Sequence, residues 1–176
     1  MQTETYMNAH IGQLAPDFSL IDHNKRKVTL SEFQGLKNVV LSFHIYTFTD
    51  GWRDQIAAFL STQREFEARD TQVLGISTDP RPTQTAYYLC RSPNLSYPIP
   101  LLSDFYPHGA VSKSYGLFKE DTGTARRAVI IIDKNRIIRF KKQYSTKISS
   151  TPTGQTTISL DLDVKDILSN IDGMRS

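Results

Sequence analysis

The sequence has a single cysteine, Cys90, and a single tryptophan, Trp52, among its 176 residues. One cysteine excludes a disulfide within the chain, and its scarcity suits a reducing compartment, so we expect the protein in the cytoplasm. The opening stretch, MQTETYMNAHIGQ, lacks the apolar segment of a secretory signal. No apolar run approaches the ~20 residues that a membrane-spanning helix needs, so we expect no association with membranes.

Neither sign of charge dominates the chain. Lysines and arginines number 21 against 18 aspartates and glutamates, which gives a formal net charge of +3. The basic residues form no continuous stripe, so the sequence does not indicate nucleic-acid binding. The one dense basic group, NKRK at residues 24–27, lies between two strand-like runs and is typical of a solvated hairpin turn.

Four histidines are scattered along the chain without the spacing of a metal site. They are His10, His23, His44 and His108. We therefore predict no metal site, and no motif indicates another cofactor. His44 follows a predicted strand, and we interpret it as a hydrogen-bonded histidine at the end of that strand.

Strand-like and helix-like segments alternate along the chain. Apolar, β-branched runs predict strands, and apolar residues at helical spacing predict helices. The pattern is typical of an α/β protein with a sheet flanked by helices. Predicted strands cover residues 17–20, 27–29, 38–43, 71–78, 101–103, 128–133 and 137–144, and predicted helices cover 30–33, 52–68, 82–90, 109–115 and 162–171. A patch rich in serine and threonine at residues 145–157 predicts a mobile loop.

One strand–loop–helix junction carries the most information about chemistry. The buried strand Val39-Val40-Leu41-Ser42-Phe43 leads through a loop to a helix in which Trp52 and Ile56 recur at helical spacing. The N-terminus of such a helix would lower the pKa of a cysteine from about 8.5 and stabilise its thiolate. The residue that stands there is Trp52. Its spacing predicts a buried side chain that fills the space of a thiol, and a platform for a ligand is the alternative role.

This junction resembles the active site of the peroxiredoxin (AhpC/TSA) family of thiol peroxidases, whose motif reads Pro-x-x-x-Thr/Ser-x-x-Cys. Thr49 matches the threonine of the motif, whereas Ile45 stands in place of its proline and Trp52 in place of its peroxidatic cysteine. Arg127 opens the run RAVIIID, which is similar to the family strand that begins with the active-site arginine. The resemblance therefore implies a candidate catalytic site at Thr49, Trp52 and Arg127.

The resemblance extends over residues 11–140. The run IGQLAPDFSL at residues 11–20 is similar to the family opening G-x-x-A-P-D-F-x-L, and VLGISTD at residues 73–79 is similar to its V-x-G-I-S-x-D strand. Further similar runs are VTLSEF at 28–33 with Gly35, LLSD at 101–104 and YG at 115–116. The family implies a single thioredoxin-like domain over residues 1–176, with a mixed β-sheet of about five to seven strands flanked by helices. Its core would cover residues 11–144, and residues 145–176 would form a variable tail with a C-terminal helix.

Two functional hypotheses remain open. In the first, the chain is a peroxiredoxin-like protein without peroxidase activity, kept as a binding or structural module, because an indole cannot form a sulfenic acid. In the second, it is an active thiol or seleno peroxidase whose residue 52 is altered or recoded, since cysteine, selenocysteine and tryptophan codons all begin with TG. The second departure from the motif, at Ile45, favours the first hypothesis. Chemistry through Cys90 is a weaker third route.

The side chains around the junction have further expected roles. Thr49 is interpreted either as the cap of the helix, a role for which Asp50 competes, or as a residue whose hydroxyl once met a peroxide oxygen. Arg127 opens a buried strand, and a desolvated cation usually has a partner. We expect that partner to be Asp50, Asp54 or Gln55, and the arginine serves either as a remnant of an anion- or ligand-binding site or as half of a structural pair.

Two expectations concern the remaining thiol and the assembly. Cys90 has apolar neighbours in its predicted helix, which predicts a small, buried and inert side chain. The family commonly pairs through the loops around its active site or through edge strands, so we expect a homodimer; a thioredoxin-like or other protein partner stays unidentified. The contact would centre on residues 46–48 and 105–106, and its aromatic side chains would come from Tyr46, Phe48, Tyr87, Tyr88, Phe105 and Tyr106.

Overall fold

The computed structural model describes residues 9–91, 99–150, 156–160 and 162–174. Its centre is a mixed seven-stranded sheet in the order β2-β1-β5-β4-β3-β8-β9. Strands β3, β4 and β5 are parallel to one another, and the other neighbours pair antiparallel. The strands of this sheet are β1 (Ser19–Asp22), β2 (Lys27–Thr29), β3 (Asn38–Phe43), β4 (Thr71–Ser77), β5 (Leu101–Ser103), β8 (Ala128–Ile132) and β9 (Ile138–Gln143).

Helices cover both faces of the sheet. They are α1 (Asp50–Ser61), α2 (Gln63–Glu67), α3 (Arg81–Arg91), α4 (Ala110–Ser114) and α5 (Val164–Asp172), with a 3-10 helix at Leu30–Phe33. Two short strands, β6 (Phe118–Lys119) and β7 (Thr124–Ala125), form a separate hairpin. None of the helices in the described residues combines the length and the apolar character needed to cross a bilayer.

Strand β3 is central because all six of its residues are buried. Successive side chains of a strand point to opposite faces, so its residues divide between two apolar cores. Val39 and Leu41 join a core with the 3-10 helix and α4. Val40 joins a second core that contains Trp52 and residues of α1, α2, α3 and α5. The candidate site lies at the end of β3, against this second core.

The expected single helix at residues 52–68 is wrong in one respect, because α1 and α2 are separated at Thr62. This residue has a non-helical backbone, with φ −109° and ψ 13°. Its hydroxyl donates to the carbonyl of Ala58 at 2.8 Å. Such back-bonding by a threonine competes with the helical pattern and accounts for the break.

The expected mobile loop at residues 145–157 is also wrong where the structure describes it. Strands β10 (Thr146–Ser150) and β11 (Thr156–Leu160) form an antiparallel hairpin, and residues 151–155 lie outside the described residues. The threonines and isoleucines of both strands favour extended structure, which outweighs the loop signal of the serines and glycine. Strand β11 lies against α1. The C-terminal helix is confirmed as α5, whose cap Asp163 accepts a hydrogen bond from the Lys165 amide at 2.9 Å.

Candidate active site

The backbone of the junction forms as the sequence predicts. Strand β3 ends at Phe43, and residues 44–49 form a loop before α1 begins at Asp50. Thr49 occupies the N-cap position with an extended backbone, φ −116° and ψ 151°. Its hydroxyl does not cap the helix and instead donates to the carbonyl of Tyr46 at 2.8 Å. Thr49 therefore closes the loop on itself, which corrects the interpretation of its side chain as a cap.

Trp52 is buried in the first turn of α1, with 1% of its surface exposed. Its indole stacks on the imidazole of His44, with ring centroids 3.7 Å apart and planes inclined by 16°. The far end of the indole lies over Gly75 of β4, where an added Cβ would stand 2.9 Å from Trp52 Cη2. The indole thus fills the space between the helix and the sheet, as its helical spacing predicts.

The indole nitrogen of Trp52 is the weak point of this packing. Its Nε1 is buried and meets no hydrogen-bond acceptor among the described residues. A buried donor without an acceptor costs about 1–3 kcal/mol. The burial of the rings must outweigh this cost for the observed packing to be stable.

A hydrogen-bonded chain behind Trp52 holds the loop. The Thr47 hydroxyl donates to Asp79 Oδ2 at 2.7 Å, and the Thr47 amide donates to the same oxygen at 2.7 Å. Because that hydroxyl donates to the carboxylate, it accepts from His44 Nε2, 3.2 Å away. Ser77 also donates to Asp79 Oδ2 at 2.9 Å. His44 is hydrogen-bonded at the end of β3, as expected, whereas the roles of Thr47 and Asp79 were not predicted; the only signal was their polar character beside apolar strands.

His44 is neutral at physiological pH. Burial lowers its pKa from 6.5 to about 3; a hydrogen bond to the Ser42 backbone opposes this shift, and the nearby positive charge of Arg127 adds to it. The ring therefore presents no positive charge to residue 52.

Arg127 stands directly before β8 and reaches the first turn of α1. Its guanidinium packs against Gly51, where an added Cβ would stand 2.9 Å from Arg127 Nη2. Arg127 is half-buried, and this burial lowers its pKa. The structure thus brings Thr49, Trp52 and Arg127 together at the N-terminus of α1.

The three side chains expected to pair with Arg127 form contacts elsewhere. The carboxylates of Asp50 and Asp54 contact Arg53, at 3.0 and 3.4 Å. Gln55 is buried and donates to the Ser42 hydroxyl at 2.6 Å. Asp50, Asp54 and Gln55 therefore each have a contact with a residue other than Arg127.

The only thiol of the chain lies outside this site. Cys90 is exposed near the end of α3, so the expectation of a buried side chain is wrong. Its helical neighbours Tyr87 and Tyr88 are buried, whereas Leu89 and Cys90 face the solvent side of the helix. No group of three or more histidine, cysteine or acidic side chains within the described residues could hold a metal ion.

Comparisons with known proteins agree with this arrangement. The model of the AhpC/TSA family matches residues 11–141. Alkyl hydroperoxide reductase E of Mycobacterium tuberculosis is 40% identical over 131 residues, covering 74% of this chain and 83% of the relative. Peroxiredoxin-2 of Cricetulus griseus is 36% identical over 140 residues, covering 75% and 68%. The crystal structure of peroxidoxin BcpB from Mycobacterium tuberculosis superposes with a TM-score of 0.76 at 24% identity, over 96% of this chain and all of the other. The family resemblance and the thioredoxin-like fold are thereby confirmed.

Proposed function

The chain belongs to the AhpC/TSA family, and on that premise we propose that it is a peroxiredoxin-like protein without peroxidase activity, kept as a binding or structural module. The observation that carries the proposal is the burial of Trp52 against His44 in the first turn of α1. This is the position at which the family motif has its nucleophile. The family's reaction needs a thiolate there, and an indole cannot replace one.

The rest of the chain supplies no replacement nucleophile at the site. Cys90 is on α3, and its exposed position gives it neither the helix N-terminus nor the arginine that would activate a thiol. His44 is buried and stacked on the indole, and its imidazole cannot form the sulfenic acid of the family's reaction. The indole also occupies the volume in which a peroxide would have to bind.

A peroxidase assay tests the proposal. We expect the purified chain to consume neither hydrogen peroxide nor alkyl hydroperoxides with a thiol reductant above the uncatalysed rate. The matched control is Cys90→Ser, which removes the only thiol and should leave the result unchanged. Turnover in the parent that disappears in Cys90→Ser would refute the proposal, because it would show that the exposed cysteine is catalytic.

The second hypothesis, an active peroxidase altered or recoded at residue 52, is compatible with the two other site residues. Thr49 and Arg127 still flank residue 52, as an active site of this family would require. The codon for residue 52, together with the intact mass of the protein from its natural source, distinguishes tryptophan from cysteine or selenocysteine. A tryptophan in both measurements eliminates this alternative.

The proposed location is the cytoplasm, because a chain with one cysteine suits a reducing compartment.

The proposed assembly is a homodimer. Four aromatic side chains have between 46% and 75% of their surfaces exposed, namely those of Tyr46, Phe48, Phe105 and Tyr106. They follow the C-terminal ends of the parallel strands β3 and β5, which lie at the same edge of the sheet. Exposed aromatic side chains grouped in this way support an interface. Tyr87 and Tyr88, expected to contribute, are buried and belong to the core.

Light scattering tests the dimer. At micromolar concentration we expect about twice the 20.0 kDa mass of one chain. Phe105→Ser should shift the protein to the monomer, whereas Leu36→Ser, at a more exposed side chain before β3, should not. A parent that scatters as one chain would rule out the stable dimer.

A further inference from the structure

His23 is a buried histidine that joins three elements away from the candidate active site. It directly follows β1, and 4% of its surface is exposed. Its amide donates to the carbonyl of Leu101 in β5 at 2.9 Å. Its own carbonyl accepts from the Thr85 hydroxyl of α3 at 2.6 Å. The ring contacts the ring of Tyr88 in α3, with centroids 4.4 Å apart.

The ring of His23 is held in one protonation state by the backbone of β5. The Leu101 amide donates to Nδ1 at 3.2 Å, so Nδ1 must be without a hydrogen. The hydrogen of the neutral ring is then on Nε2, which lies 2.9 Å from the side-chain nitrogen Nδ2 of Asn24. With the Asn24 amide turned by 180°, its oxygen occupies that position and accepts this hydrogen. Protonation would place a second hydrogen on Nδ1, directly against the Leu101 N–H.

We propose that His23 is an acid-sensitive latch: the neutral ring holds α3 and β5 on the β1–β2 hairpin, and the protonated ring releases them. Release frees the Leu101 amide and removes the ring from Tyr88. Tyr88 contacts Tyr87 with ring centroids 5.9 Å apart, and Tyr87 contacts Phe48 at 5.4 Å. Phe48 belongs to the loop that precedes α1, so loosening of α3 reaches the surroundings of Trp52.

The charged groups around His23 oppose one another. Asp22 of its own hairpin and the Leu101 backbone of β5 favour the protonated ring, and Arg26 of the hairpin disfavours it. From α3, Arg81 lies 3.5 Å from the Thr85 hydroxyl, and Tyr88 donates its own hydroxyl to the Ile99 carbonyl at 2.6 Å. Burial is the largest effect and lowers the pKa of His23 below its ordinary value of 6.5. The latch therefore stabilises the fold above pH 6.5, and this contribution is lost as the pH falls through the lowered pKa.

Amide hydrogen exchange of the full chain tests the latch. If opening takes up one proton, the equilibrium constant for opening should rise about tenfold for each pH unit below pH 6.5. We expect this dependence, after correction for the intrinsic exchange rates, at Leu101 and along α3. His23→Asn offers an oxygen to the Leu101 amide but cannot be protonated, so it should reduce the dependence by the contribution of one proton. The control His108→Asn changes an exposed histidine at φ 49°, a conformation that asparagine tolerates, and should behave as the parent.

Two further measurements keep the test decisive. Nitrogen NMR of the unmodified protein should show Nδ1 of His23 without a hydrogen at neutral pH, and should show its protonation at the midpoint of the exchange transition. Fluorescence of Trp52, the single tryptophan, should change at the same midpoint and should not change in His23→Asn. The proposal would be overturned by a hydrogen on Nδ1 at neutral pH or by an unchanged acid dependence in His23→Asn. It would also be overturned if the fluorescence of Trp52 did not change at the transition.

Discussion

Replacement of Trp52 by cysteine separates the two contributions that residue 52 makes, one to stability and one to chemistry. Replacing a buried tryptophan by alanine typically costs about 3–5 kcal/mol. Cysteine keeps one more heavy atom, and the change also removes a buried donor that has no acceptor among the described residues, whose cost is about 1–3 kcal/mol. From the middles of these two ranges, we expect Trp52→Cys to lower the free energy of unfolding by about 2 kcal/mol.

Urea unfolding followed by circular dichroism measures this loss, because the substitution removes the only fluorescent tryptophan. The matched control is Trp52→Phe, which keeps an aromatic ring against His44 and introduces no thiol. It should lose less stability than Trp52→Cys. If Trp52→Cys is as stable as the parent, the indole does not fill the space between α1 and β4.

The same variant tests the chemistry of the site. In a Cys90→Ser background the thiol at residue 52 is the only one, so its titration can be followed by the ultraviolet absorbance of the thiolate. The N-terminus of α1 and the guanidinium of Arg127 at Gly51 both favour the thiolate, so we expect a pKa below about 8.5. We expect weak peroxidase activity at most, since Ile45 stands in place of the motif proline. A pKa at or above the ordinary value would show that burial dominates and that the site no longer stabilises an anion.

Two other predictions follow from the packing around Trp52. Gly75→Ala places a Cβ 2.5 Å from Leu101 Cδ2 and 2.9 Å from Trp52 Cη2, so it should destabilise the fold by about 1–3 kcal/mol in urea unfolding. In the control Gly173→Ala, the added Cβ has its nearest non-adjacent neighbour at 3.6 Å, so the free energy of unfolding should stay within about 0.5 kcal/mol of the parent. Equal losses of stability in Gly75→Ala and Gly173→Ala would contradict the close approach of the indole to Gly75. Because the pKa of His44 is lowered to about 3, its neutral form stabilises the fold above pH 6.5, and stability should fall by up to about 1.4 kcal/mol per pH unit as the pH drops from 6.5 toward 3. His44→Phe should remove the part of that slope that comes from the uptake of one proton by residue 44. An unchanged slope would mean that the His44 ring is protonated in the folded state.

The sequence predicts the central elements of this fold well, because their signals are strong and local. Strand β3 lies at residues 38–43 as predicted, since a run of six buried residues has no competing interpretation. The burial of Trp52 follows in the same way from its helical spacing with Ile56. The family resemblance adds the thioredoxin-like topology, which no local pattern contains.

The errors arise where the outcome depends on how elements pack against one another and not on a local sequence pattern. The β10–β11 hairpin gains its stability from pairing between its two strands and from its position against α1, neither of which a composition count detects. Tyr87 and Tyr88 occupy the buried face of α3. Cys90, although close to them in sequence, therefore lies on the exposed face of the helix. The stack of His44 on Trp52 joins residues eight positions apart across a loop, and its geometry depends on how Thr47 is held by Asp79.

The residues retained from the motif have structural roles in this chain that do not require peroxidase activity. The Thr49 hydroxyl closes the loop on the Tyr46 carbonyl, and a threonine would be kept there for that bond alone. Arg127 covers Gly51 at the start of α1, and its loss would expose the first turn of the helix that carries Trp52. Retention of these two residues is therefore expected of an active and of an inactive protein alike. The residue that distinguishes the two is residue 52, where a peroxidase would need a thiolate and space for a peroxide. The structure instead places a neutral imidazole and an indole in contact there.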